Sequence, residues 1–135
     1  MGLAERRGVE NFKNEQYPDW KERIEQAAGF DVPIEVAWEE LAVADYAASY
    51  AEYFPKVYFQ PLVDALHATT ADELGRTATR EGLTKIVIKN SDVFYSSSGF
   101  TFADGVLTID HQPHANIEYG DERAKDLQRI LEAGL

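Results

Sequence analysis

The chain has 135 residues, 44% hydrophobic and 27% charged, a balance that fits one compact domain and excludes a disordered or fibrous class. A formal net charge of −11 opposes binding to nucleic-acid phosphates, and the absence of cysteine removes disulfides, zinc–thiolate sites and thiol catalysis. No run approaches the ~18 apolar residues of a membrane span, and the opening MGLAERRGVENFKNEQ lacks a signal-peptide core, so a cytoplasmic location with no membrane partner is expected.

Taken in chain order, Val9, Phe12, Trp20, Ile24 and Ala27 recur at helical spacing. Pro18 has no N–H and disfavours helix at Tyr17, which predicts one helix to about Gln16 and another from Pro18 to Ala28, capped by Gly29. Ile34, Val36 and Trp38 alternate with Glu35 and Ala37, the period of a half-buried strand near 33–38. From Glu39 to Phe54 the spacing of Leu41, Tyr46, Tyr50 and Tyr53 predicts a helix with an aromatic stripe. Pro55 stops that helix or opens the next, and Pro61 is placed to kink the continuation. Thr70 followed by Glu73 resembles a capping box for a helix through Arg80, closed by Gly82.

The last third reads as strands near 85–90 and 93–96, followed by a hairpin of 99–103 with 106–110 around Asp104-Gly105, a dipeptide suited to positive φ. DERAKDLQRILEAGL closes the chain as a helix with Ala124, Leu127, Ile130 and Leu131 on one face, for which the hairpin is the nearest partner. No repeat or linker divides residues 1–135. The expectation is a single α+β domain: a mostly antiparallel sheet of these five strands, packed by N-terminal, central and C-terminal helices.

Candidate chemistry centres first on Asp110-His111-x-x-His114. Neutral imidazoles and a carboxylate suit a metal, but Pro113 denies the histidines a shared helical face, and the pleat sends Asp110 and His111 to opposite sides. A solvated strand-to-loop junction is the simpler expectation, with no cofactor. A metal-dependent or acid–base hydrolase would need His111 and His114 to be joined by His67, which a helix C-terminus explains without catalysis. Ser96, Ser97 and Ser98 lie outside any nucleophile-elbow pattern and read as turn residues. No phosphate-cradling glycine motif occurs. Glu35, Glu39 and Glu40 are explained by solvation and helix starts.

The most unusual segment is acidic and tyrosine-rich. Residues 31–75 hold nine acids against Lys56 alone, and 41–59 hold four of the seven tyrosines. Facing inward, the stripe is core; partly exposed, Tyr46, Tyr50 and Tyr53 with Glu39, Glu40, Asp45 and Glu52 would suit a basic protein partner. The leading expectation is therefore a non-catalytic protein-binding domain of inhibitory, immunity-like or accessory type. The alternatives are the hydrolase and a small-ligand domain with an aromatic-lined pocket. The oligomeric state is left open.

Overall fold

The structure, a computed structural model, describes residues 2–135. Helices α1 (Leu3–Glu15) and α2 (Tyr17–Ala28) meet at Gln16, with Pro18 in the first turn of α2, where a missing N–H costs nothing. Gly29 adopts φ 87° and its N–H reaches Glu25 O, the expected left-handed cap. Val9, Phe12, Ile24 and Ala27 are buried, and strand β1 (Ile34–Val36) follows.

The helix expected over 39–54 is broken. It is replaced by α3 (Trp38–Leu41), a loop, a 3-10 turn (Ala47–Ser49) and α4 (Tyr50–Phe54). Tyr50 accounts for the break: it sinks wholly into the core, and its hydroxyl donates to Val43 O at 2.6 Å, holding the loop back over its ring. As expected, α4 ends at Phe54 and Pro55 opens the next helical segment. The rod runs from α4 through a π turn (Pro55–Phe59) into α5 (Gln60–Thr69), because the wider turn lets Gln60 N–H reach Pro55 O. The carbonyl of Lys56 then faces Pro61, which has no N–H to offer. Helix α6 (Glu73–Gly82) is capped by Asp72, which accepts from Gly75 N at 2.7 Å, rather than by Thr70. The Thr70 hydroxyl instead lies 2.8 Å from both Leu66 O and Ala27 O, tying α5 to α2.

The sheet contains β1, β2 (Lys85–Lys89), β4 (Val106–Asp110) and β3 (Phe100–Ala103), in that order. β1 pairs parallel with β2, and β2 parallel with β4; only the β3–β4 hairpin is antiparallel. The sheet is thus mixed and mostly parallel, which corrects the antiparallel expectation. The hairpin has its expected bounds within a residue, with Asp104 at φ 53° and Gly105 at φ 80°. The strand expected at 93–96 does not form. Asp92 turns with φ 68° while its N–H donates to Asn90 Oδ1, and Gln112 N donates to Phe94 O, so the backbone is spent on local bonds instead of a ladder. The segment carries the chain past the sheet end, and β3 enters from the outer edge.

Ile86, Ile88, Leu107 and Ile109 alternate onto one buried face, against a core that includes Phe54, Tyr58, Phe59, Leu62 and Leu66. Each such burial stabilises the fold by roughly 1.5–3 kcal/mol. Helix α7 (Gly120–Gly134) covers α5 most extensively and then β3, so the hairpin is only its second partner.

Gly99 fixes the approach of the crossover loop to β4. A Cβ there would overlap the Asp110 carbonyl oxygen and lie 2.7 Å from the Phe94 ring. Gly99→Ala is therefore expected to cost about 2–3 kcal/mol, read as a lowered urea midpoint at unchanged slope. An unchanged midpoint would mean that the loop moves freely.

Candidate functional site at the carboxyl ends of the parallel strands

Because β1, β2 and β4 run the same way, their carboxyl ends deliver Ala37, Asn90 and His111 to one end of the sheet. In open α/β sheets this is where ligands bind. Three non-glycine residues with positive φ lie in the loops here: Asp45 (72°), Asp92 (68°) and Asn116 (51°). Asp and Asn tolerate that region best, and such strain concentrates at sites where loop shape matters.

The carboxylates at this end are largely committed to the backbone. Glu40 Oε1 accepts from Asn90 N at 2.9 Å, and Asn90 Nδ2 returns a bond to Glu40 O at 3.1 Å. Asp110 Oδ1 accepts from Ser91 N at 2.8 Å. Gln112 Nε2 lies 3.2 Å from Asp92 O and 3.3 Å from Asp92 Oδ1, joining the loops after β2 and β4.

His111 extends the ladder by one bond, its N–H donating to Lys89 O at 3.2 Å. Its ring is wholly buried beside Phe100 and Tyr58. Nδ1 is 2.7 Å from Gln112 O, a carbonyl that can only accept, so Nδ1 carries the proton and Nε2 is left bare and unpartnered. Burial pushes the pKa down to about 4, outweighing the opposing pull of the Gln112 carbonyl. Tyr58 donates its hydroxyl to His111 O, and burial drives the phenol well above its ordinary pKa. A neutral imidazole sealed this way has no open path to a substrate, and it is not the solvated histidine the sequence implied.

His114 lies half-buried and flat against Tyr46, ring centres 4.8 Å apart at 22°, with Tyr53 5.9 Å beyond Tyr46. The tyrosine-rich segment and the histidine loop therefore meet. His67 is exposed on the last turn of α5 and does not complete the set; among the described residues no three histidines or carboxylates gather as a metal site.

The other expected partner residues divide. Tyr50 is core, Glu40 is held by Asn90, and Glu39 borders Arg6 and Glu10 on the α1 side. Asp45 and Glu52 are exposed beside the half-buried Tyr46 and Tyr53. Lys56, the lone base of the acidic third, is matched by Glu52 at 3.1 Å and Glu118 at 3.3 Å. Most other aromatic rings pack on one another in the interior, Phe12 against Phe54 and Phe59, and Tyr50 against Phe54. Ser96, Ser97 and Ser98 instead border an open cleft of about 430 Å³ beside α7.

In the sequence Arg123 reads as one more charge on the last helix. It is 3% exposed and donates to Asn116 O (2.6 Å), Ile117 O (3.0 Å) and Lys56 O (3.1 Å). The last is the carbonyl that Pro61 leaves unpaired. A signal existed: Arg123 stands four and eight residues before Leu127 and Leu131, on the same buried stripe. In comparisons with known proteins, the chain matches no family model, no curated protein and no solved structure.

Proposed function

We propose that this is a non-catalytic protein-binding domain that recognises a basic partner through the acidic, tyrosine-bearing surface at the carboxyl ends of the strands. The observation that carries this reading is the Tyr53–Tyr46–His114 stack, in which the half-buried Tyr46 and Tyr53 directly follow the exposed Asp45 and Glu52 in the chain. Tyrosines supply anchoring area at low entropy cost, and carboxylates steer a cationic partner. Of the groups that acid–base chemistry would draw on, His111 is sealed by burial, and Glu40 and Asp110 accept from backbone N–H groups.

Affinity capture from the native host's extract at low and moderate salt tests it. The wild-type chain should retain a basic protein released by salt, and Tyr46→Ala/Tyr53→Ala should retain roughly tenfold less or lower still. Glu52→Lys should lower retention further without lowering thermal stability by more than a few degrees. Equal retention by the double variant would overturn the proposal. Tyr50→Ala is unsuitable because it empties the core.

A further inference from the structure

Resting on the basic-partner reading, we propose that Val93, Tyr95 and Tyr119 form the apolar anchor of that interface, seated in an apolar cleft of the partner, while the acidic surface around Tyr46 steers its approach. Five large hydrophobic side chains are exposed among the described residues, and two of them, Leu3 and Leu74, stand singly on α1 and α6. The other three gather. Val93 is 64%, Tyr95 63% and Tyr119 54% exposed, and Asn116 joins their loops, its Nδ2 donating to Tyr95 O at 2.5 Å and its carbonyl accepting from Tyr119 N at 3.1 Å. A lone exposed apolar residue needs no cause, whereas a cluster marks an interaction site.

The loop that carries Val93 and Tyr95 is fixed before any partner arrives. Ser91 N donates to Asp110 Oδ1 at 2.8 Å, Asp92 N to Asn90 Oδ1 at 2.9 Å and Gln112 N to Phe94 O at 2.8 Å, with Asp92 in the left-handed region at φ 68°. Phe94, half-buried, lays its ring against Gly99, and its two neighbours point outward. Backbone strain and a set of hydrogen bonds thus hold two apolar side chains out in water. A loop preformed in this way loses little further entropy on binding.

Continuity and charge identify the occupant. His114, stacked on Tyr46, lies two residues before Asn116, so the patch continues the surface assigned to the basic partner. A net charge of −11 opposes both an anionic lipid surface and a second copy of the same chain, and favours a cationic protein. Val93 and Tyr95 project from their loop, so the partner supplies the concave side, an apolar cleft rimmed by lysine or arginine. Burial of such anchors slows dissociation, whereas charge at the rim acts on association.

The test passes the basic protein that salt elutes from the wild-type capture, once purified, over the immobilised full-length chain and reads both rates by surface plasmon resonance. Val93→Ser/Tyr95→Ser, two surface changes that should leave the melting temperature within a few degrees, should raise the dissociation rate about tenfold or more and leave the association rate within about twofold. Glu52→Lys should chiefly slow association. An unchanged dissociation rate in the Val93/Tyr95 variant overturns the anchor; if Tyr46→Ala/Tyr53→Ala still weakens binding, the basic-partner reading stands. If neither variant weakens binding, or no basic protein is retained, both fall. Co-sedimentation of the wild-type chain with phosphatidylcholine vesicles, lost in the Val93/Tyr95 variant, would assign the patch to a lipid surface and overturn the anchor as well.

Discussion

Replacing Arg123 with alanine is expected to destabilise the domain by about 3–5 kcal/mol, enough to leave a marginal fold largely unfolded. The residue is only 3% exposed, and its guanidinium serves three carbonyls from two separate segments, Lys56 in the π turn and Asn116 with Ile117 before α7. Removing it strands all three acceptors away from water, and each buried orphan costs about 1–3 kcal/mol before local relaxation. Burial draws the guanidinium below its ordinary pKa, yet arginine stays charged at any working pH, so the interaction is independent of pH near neutrality. Arg123→Lys keeps the charge, but its donors sit on one nitrogen and cannot span carbonyls that the two guanidinium nitrogens reach separately, so it should lose about 2 kcal/mol. Urea denaturation followed by circular dichroism measures both. A loss under about 1 kcal/mol for the alanine variant would show that the carbonyls find other donors.

The second large effect is on acid stability. His111 has a folded pKa of about 4 against an ordinary 6.5, a difference equivalent to about 3 kcal/mol. Above pH 6.5 the ring is neutral in both folded and unfolded chains, and this contribution is complete. As pH falls from there towards 4, the unfolded chain binds a proton that the folded chain excludes, so stability declines and the loss levels off below the folded value. Carboxylates titrate in the lower part of that window, so the comparison is with His111→Leu, which keeps an apolar body between Tyr58 and Phe100. The wild-type stability curve should be steeper by about one proton between pH 6.5 and 4.5. Parallel curves would mean that the buried ring is not the acid-labile group.

The contrast between the two helical stretches explains what was legible. Around Pro18 and Gly29 the sequence marks the boundaries of α1 and α2, because the missing N–H and the left-handed cap act within a single turn. Around Pro55 the same residue type marks where α4 gives way to the next segment, but not that this segment is a π turn in which Gln60 N–H reaches Pro55 O and the Lys56 carbonyl accepts from Arg123, 67 residues away. The same separation of scales applies at the site. Pro113 and the strand pleat argue against a shared local face for Asp110, His111 and His114, but nothing local predicts that Tyr46 will lie on His114, or that Tyr50, one turn along, will be core.

Sequence alone therefore determined the single α+β domain, the amphipathic helices, the Asp104-Gly105 hairpin and the acidic middle third, because periodicity, turn chemistry and charge are properties of neighbouring residues. Only the tertiary structure decided the strand order and the parallel pairing of β1, β2 and β4, since strand direction depends on how a crossover packs rather than on the strand's own residues. It also decided which polar groups were sealed and which were left at the surface. Burial is set by what folds over a residue, and for His111 and Arg123 the covering elements lie far away in the chain.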